Sequence, residues 1–413
     1  MTPTVVRPSK LFHGWIVVGA TFGVLFVAFG AAYSFAAFFE SLRDEFDATR
    51  GDVSLVFAIT GFLYFGLGVF SGPLSDRIGP RRVILAGVVL IAAGLMLASV
   101  AQTLWQVYVT YSLFVGVGVG LAYVTSVACV QRWFTRRRGF ASGMAVAGIG
   151  AGTLVVPLLA AGVIDLWGWR AGYATLGLLT LVVGVASAML MEHSPHGRGL
   201  HPDGDLPAHG AAPAAATGSS LREAIRARPF WLLYAATVST SLGIFMPFAH
   251  LAPYAKDHGF TSGFGAFLVG MIGVGSTAGR LVLGGSADRV GRRLALACTF
   301  GAMALTLLFW LAATERWSLV VFALVFGAAY GGFVALVPAL TTDYFGGRNA
   351  GGILGALYTG AAIGALAGPT LAGAVYDARN SYTLPILLGV AMNVVAVACI
   401  VALPSPARWR AHH

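Results

Sequence analysis

Gly72-Pro-Leu-Ser-Asp76-Arg77-Ile-Gly79-Pro-Arg81 recurs 212 positions later as Gly284-Gly-Ser-Ala-Asp288-Arg289-Val-Gly291-Arg-Arg293. The same offset carries Gly143, Gly148, Gly152, Pro157 and Asp165 onto Gly355, Gly360, Gly364, Pro369 and Asp377. Around both copies run apolar stretches of about 20 residues, the length that crosses a hydrocarbon core of ~30 Å as a helix. They fall near 14–39, 53–73, 83–101, 106–130, 139–164, 170–191, 230–255, 264–287, 294–313, 317–341, 350–376 and 382–404. A repeat spanning six crossings predicts parallel halves related by an axis along the membrane normal, with the ligand site between them. The expected fold is therefore an all-α membrane protein with twelve transmembrane helices in two pseudo-symmetric six-helix halves. Residues 1–192 form the first half, 193–228 a linker and 229–413 the second half.

Composition agrees. The chain has 413 residues, 57 % hydrophobic and 10 % charged, with a mean hydropathy of +0.80, where a soluble chain averages about 25 % charged. Strands of a β-barrel would alternate polar and apolar residues, and these runs do not. The net charge of +10 reflects topology and gives no reason to expect nucleic acid. Nineteen of the 26 Lys and Arg residues fall on the side of the N-terminus, six on the opposite side, and Arg280 lies within a span. That bias places both termini in the cytoplasm of a multi-pass protein of the cell (inner) membrane. Cys129, Cys298 and Cys399 sit in different apolar runs and form neither a disulfide framework nor a metal spacing. No cofactor or metal is expected. The linker, 193–218, is rich in Pro, Gly, Ala and His. Ser220-Leu-Arg-Glu223 then fits a capping box, which predicts a short amphipathic helix over 221–227. Glycine supplies 55 residues, many within the spans, where small residues let backbones approach; those at 143, 148, 150 and 152 predict a packing seam.

The paired loops match the G-x-x-x-D-R-x-G-R-R signature of the major facilitator superfamily. Asp76 and Asp288 can face a helix N-terminus, where the dipole favours an anion. Arg77, Arg81, Arg289 and Arg293 can pair with carboxylates or lipid phosphates. Together they read as a conformational latch that breaks when the halves rock.

Arg280 is the one charge in the run between Asp257 and Asp288. At that depth a charge costs roughly 2.5–3.5 kcal/mol on insertion scales, so it should line a wet cavity and meet an anion. A guanidinium fork binds both oxygens of a carboxylate. His250 is the other titratable group well inside a span, and an imidazole changes charge near physiological pH. Tyr33, Tyr123 and Tyr330 fall in spans one, four and ten; their phenols can donate to an acid while keeping the wall apolar. Tyr254, one turn after His250, completes the candidate ligand set.

Three further stretches resemble the proton-linked monocarboxylate transporter family: Phe12-His-Gly-Trp15; Trp133 to Gly148, continuing to Gly168-Trp169-Arg170; and Gly243 to Lys256, which holds Pro247, His250 and Tyr254. The resemblance implies symport of a short monocarboxylate, such as L-lactate or pyruvate, with a proton by alternating access. It implies that Arg280 receives the carboxylate. Ser276 stands where animal members tend to have an aspartate, and Tyr33 where they have a lysine, which leaves His250 as the proton-coupling candidate. Related oxalate–formate exchangers carry a lysine in span eleven; Gly351 to Tyr376 has no Lys, Arg or His. One buried cation matches one carboxylate. An organic-anion exchanger of that type is the alternative, followed by a proton-driven drug exporter, for which no buried acid is evident. Nothing in the spans suggests an enzyme. The expected partners are the monocarboxylate, the proton and the bilayer, with the protein working as a monomer.

Overall fold

The computed structural model describes residues 12–134, 138–193, 195, 203, 218–346 and 349–406; at 69, 72, 73, 76, 138–140, 284–286, 288, 350 and 351 it describes the backbone alone. Helices α1 (His13–Tyr33) and α2 (Phe35–Phe46) form the first crossing, jointed at Ser34. Then come α3 (Arg50–Ile78), α4 (Pro80–Ala98), and α5 (Leu104–Val107) joined through a π-helical turn to α6 (Phe114–Trp133). Helix α7 (Arg138–Leu179) runs through a second π turn into α8 (Val185–Met189). After the linker follow α9 (Leu221–Arg226), α10 (Arg228–Asp257), α11 (Ser262–Val290), α12 (Arg292–Trp310), α13 (Arg316–Phe345), α14 (Ala350–Arg379) and α15 (Thr383–Val401).

Among the described residues, eleven helical stretches are long and apolar enough to cross a bilayer. One of them, Ala141–Met189, has 49 residues, about 74 Å of helix against a core of ~30 Å. Gly168 (φ 81°, ψ 168°) breaks it, so it makes two crossings and the total is twelve.

The repeat is legible in the backbone. Positive φ occurs at Asp47 and Gly259, at Gly79 and Gly291, and at Gly168 and Asn380, three pairs at the 212 offset. Thr49 and Thr261 likewise both cap the following helix through the side chain. The chain therefore turns with the same handedness at the same points of each half. Ser220 and Glu223 form the expected capping box on α9.

The halves meet along two pseudo-symmetric seams, α3 against α14 and α7 against α11. Small residues make both possible: a Cβ on Gly61 would lie 2.9 Å from that of Ala365, and one on Gly150 would strike the Thr277 hydroxyl. Within the halves, Gly148 and Gly152 bring α7 onto the carbonyls of Phe22 and Phe26 of α1, as the glycine run in the fifth span predicts, whereas Gly143 of that run faces open space. On α11 and α13, Gly275, Gly279, Gly327 and Gly331 each face the partner helix backbone at distances that a Cβ would close to about 2 Å. One membrane face carries the arginine-rich loops after α3 and α11. The opposite face carries the turns at 47–49, 165–170, 258–261 and 380–382.

Candidate functional site

Arg280 points into the protein, towards the other half. Its Nη1 donates to the Val146 carbonyl of α7 at 3.4 Å. Its buried Nε has no hydrogen-bond partner among the described residues. Tyr33, Tyr123, Tyr330 and Tyr358 lie close enough for the Arg280 charge to act on their hydroxyls. Tyr33 of α1 and Tyr330 of α13 meet across the halves, hydroxyl to hydroxyl, at 3.0 Å. Phe248 stacks on Tyr33 at 4.5 Å and meets Tyr330 edge-on at 5.2 Å. Phe29 is the hub of the first half's aromatics, 5.9 Å from Tyr33, 5.8 Å from Tyr64 and 5.2 Å from Tyr123. One guanidinium thus sits among neutral phenols, which suits a single carboxylate carried with neutral oxygens.

His250 and Tyr254 stand elsewhere. His250 is seven residues, about 10 Å of helix, from the end of α10 at the arginine-poor face; Arg280 is eighteen residues, about 27 Å, along α11 from that face. His250 is fully buried. Its Nε2 lies 2.9 Å from the Pro369 carbonyl and its Nδ1 3.1 Å from the Tyr382 hydroxyl. A carbonyl only accepts, so Nε2 carries the proton and Nδ1 accepts from Tyr382. Tyr254 packs against Tyr382, Trp310 and His258.

Tyr382 connects this pair to a charge cluster at the arginine-poor face. Arg50, the first residue of α3 and 5 % exposed, donates from Nη1 to Tyr382 at 2.7 Å and to Asp257 at 2.8 Å, and from Nη2 to Asp257 at 2.6 Å. Its guanidinium lies 4.1 Å from the ring centre of Tyr376. Asp377 accepts from the backbone amides of Arg50 and Gly51 at 3.0 and 2.7 Å, placing an anion on the N-terminus of α3. Lys256 pairs with Glu40 at 3.2 Å. All of these contacts join one half to the other. Burial pushes the Tyr382 phenol above its ordinary range, against the pull of Arg50. It keeps its proton and can donate to His250. The pseudo-symmetric site is weaker: Ser262 donates to Asp165 at 3.4 Å.

At the arginine-rich face, Arg81 Nε donates to the Met191 carbonyl at 3.0 Å, and Arg293 donates to the Leu403 carbonyl. Each caps a helix end within its own half. Arg77 and Arg289 are exposed. The side chains of Asp76 and Asp288 lie outside the described residues, as do His196, His201 and His209 of the linker.

Two features escape the sequence reading. Arg50 reads as one of six basic residues of the minor face, and nothing local marks it as a bridge between halves. Tyr64 is 2 % exposed, with its hydroxyl beside that of Tyr33. A superposition of the repeats finds it, because the 212 offset sets Tyr64 on Ser276 and Gly68 on Arg280.

A family model described as Major Facilitator Superfamily matches residues 21–324 and 240–412. The chain belongs to the major facilitator superfamily. Within it, human Monocarboxylate transporter 11 is 29 % identical over 415 residues, covering 98 % of this chain and 86 % of its own length. Monocarboxylate transporter 3 of Rattus norvegicus is 30 % identical over 402 residues, covering 94 % and 80 %. The chain is thus a major facilitator transporter of the monocarboxylate transporter family, a carrier and not an enzyme. A solved bacterial homologue of the human lysosomal transporter Spinster, described as inward-facing and unoccupied, matches with a TM-score of 0.69 over 95 % of both chains at 14 % identity. That likeness concerns the fold of this facilitator.

Proposed function

We propose that this protein is a proton-coupled symporter of short monocarboxylates such as L-lactate or pyruvate, working by alternating access as a monomer in the cell (inner) membrane with both termini cytoplasmic. The observation that carries this reading is Arg280, whose guanidinium faces the other half with Nε unpartnered among neutral phenols. Substrate neutralises that charge, which lowers the cost of closing the site around both ions. Tyr330, Tyr33 and Tyr123 supply hydroxyls at the same site. With the arginine-rich face cytoplasmic, the Arg50 cluster holds the halves together on the outside. In the outward-open half of the cycle, Asp76, Arg77 and Arg81 and their counterparts Asp288, Arg289 and Arg293 act as the inner latch.

His250 carries the proton, and Tyr254 packs against the Tyr382 whose hydroxyl bonds it. A proton on Nδ1 opposes the Tyr382 hydroxyl proton and adds positive charge beside Arg50. Protonation therefore loosens the outer seal from within. The test is uptake of radiolabelled acids into proteoliposomes with and without an inward proton gradient. The expected result is monocarboxylate accumulation that follows the gradient. Counterflow of oxalate for formate with no response to pH overturns the reading in favour of an organic-anion exchanger.

A further inference from the structure

We infer that the groove between α10, α14 and α15 is a site for an anionic phospholipid of the leaflet at the arginine-poor face: one acyl chain fills the groove and the headgroup phosphate sits on Arg379. The inference is independent of the substrate held at Arg280.

The groove has a volume of about 190 Å³, between Leu242 and Met246 of α10, Gly368 and Val375 of α14, and Pro385 and Met392 of α15. Apolar cavities of about 150 Å³ stay dry and take a hydrocarbon guest. Leu371 and Leu388 also line it and are 57 % and 49 % exposed, so it opens sideways to the acyl chains of the bilayer. A groove this small admits one such chain and excludes a helix of ~10 Å diameter. Gly368 lies eleven residues before Arg379 at the end of α14, about 17 Å along the axis. The groove therefore spans the outer half of a core of ~30 Å. Leu371, Val375 and Arg379 recur every fourth residue, so they share one face of α14. Side chains lean toward the N-terminus of their helix, which carries the stem of Arg379 back toward Val375. Arg379 is exposed and has no hydrogen-bond or ion-pair partner among the described residues. A free guanidinium at the headgroup end of an apolar groove is complementary to a phosphate whose chain lies below it.

The repeat sets this site apart from its counterpart. The 212 offset pairs Gly368 with Val156, Pro385 with Tyr173, His250 with Phe38 and Arg379 with Trp167. In the first half Val156 is 1 % exposed, and Tyr173 stacks flat on Phe38 at 3.9 Å. Bulk thus stands there where Gly368 and Pro385 leave room. Trp167 brings no charge to the level of Arg379. Room and cation occur together in the second half, and the first half lacks both. These are separate departures from the repeat, and one amphiphilic occupant accounts for both. The occupant also touches the helices that hold His250. Met246 lies one turn before His250, and Gly368 precedes Pro369, whose carbonyl accepts from His250 Nε2 at 2.9 Å.

The experiment uses the full-length protein in detergent, in a background lacking the native cysteines. Bimane is placed at Leu388→Cys on the groove, or at Leu178→Cys, a 55 % exposed position in the first half. Each is titrated with phosphatidylglycerol or phosphatidylcholine brominated on the acyl chains, which quenches the dye on contact. The Leu388 probe should reach half-quenching at a phosphatidylglycerol fraction about tenfold lower than the Leu178 probe. At Leu388, phosphatidylcholine should need about fivefold more than phosphatidylglycerol, and Arg379→Gln should remove that difference. Val375→Phe, which fills the groove, should bring the Leu388 probe to the half-point of Leu178. Arg379 is exposed, so the Arg379→Gln comparison stands even if Val375→Phe fails to fold. Equal half-points at the two probes, equal half-points for the two lipids at Leu388, or a headgroup preference that survives Arg379→Gln each overturn the inference.

Discussion

Arg50→Ala should open the arginine-poor face. The guanidinium makes two short bonds to Asp257 and one to Tyr382, all across the interface between halves. Removing one member of a buried ion pair costs about 3–5 kcal/mol. Asp257 is 28 % exposed, so solvent screening brings the loss to about 1.5–3 kcal/mol. At 1.4 kcal/mol per tenfold, the ratio of closed to open falls roughly ten- to a hundredfold. A population of about 99:1 would move to between about 90:10 and even. The assay is pulsed electron–electron distance measurement between spin labels at Trp105→Cys and Trp317→Cys in a background lacking the native cysteines. These tryptophans are 70 % and 66 % exposed and begin helices of opposite halves at that face. Wild type should give one short distance, Arg50→Ala a second and longer one, and Asp257→Asn the same second distance. The double variant should add little, because the two residues act as one contact. Unchanged distances in both single variants would refute the seal.

Two other outcomes follow from the same geometry. Lowering the pH from about 7.5 to 5.5 should raise the longer-distance population, since a proton on His250 opposes Tyr382 and Arg50; His250→Gln should abolish the response, and an identical pH response in that variant would remove His250 from the seal. Gly279→Ala should lower the melting temperature by an amount equivalent to about 1–3 kcal/mol, because its Cβ would lie 2.0 Å from the Ala328 carbonyl oxygen; a scanning-fluorimetry curve matching wild type would contradict this packing.

The fold was readable because lipid imposes a strong rule: every crossing needs a long apolar run, and twelve such runs carried a repeat that the backbone reproduces at Asp47 and Gly259, Gly79 and Gly291, and Gly168 and Asn380. Arg280 was readable for the complementary reason, as a charge where the rule forbids one. Tyr33, Tyr123 and Tyr330 gather around it. His250 and Tyr254 were legible as unusual residues, and counting along the spans already sets His250 toward the outer half of span seven and Arg280 toward the inner half of span eight; their junction with Tyr382 was not legible, because Tyr382 is more than 120 residues away in the chain. Arg50 was opaque because a charge at a helix end satisfies the topology rule unaided; its bonds to Asp257 and Tyr382 come from positions 207 and 332 residues away. Tyr64 was opaque because one phenol in an apolar helix carries no periodic signal.

The measurement that bears most directly on substrate recognition is equilibrium binding of radiolabelled L-lactate to purified wild type, Arg280→Lys and Arg280→Gln. The account requires saturable binding in wild type, weaker binding with the lysine, which keeps the charge and loses the fork, and none with the glutamine. Binding of the glutamine variant at wild-type affinity would contradict it.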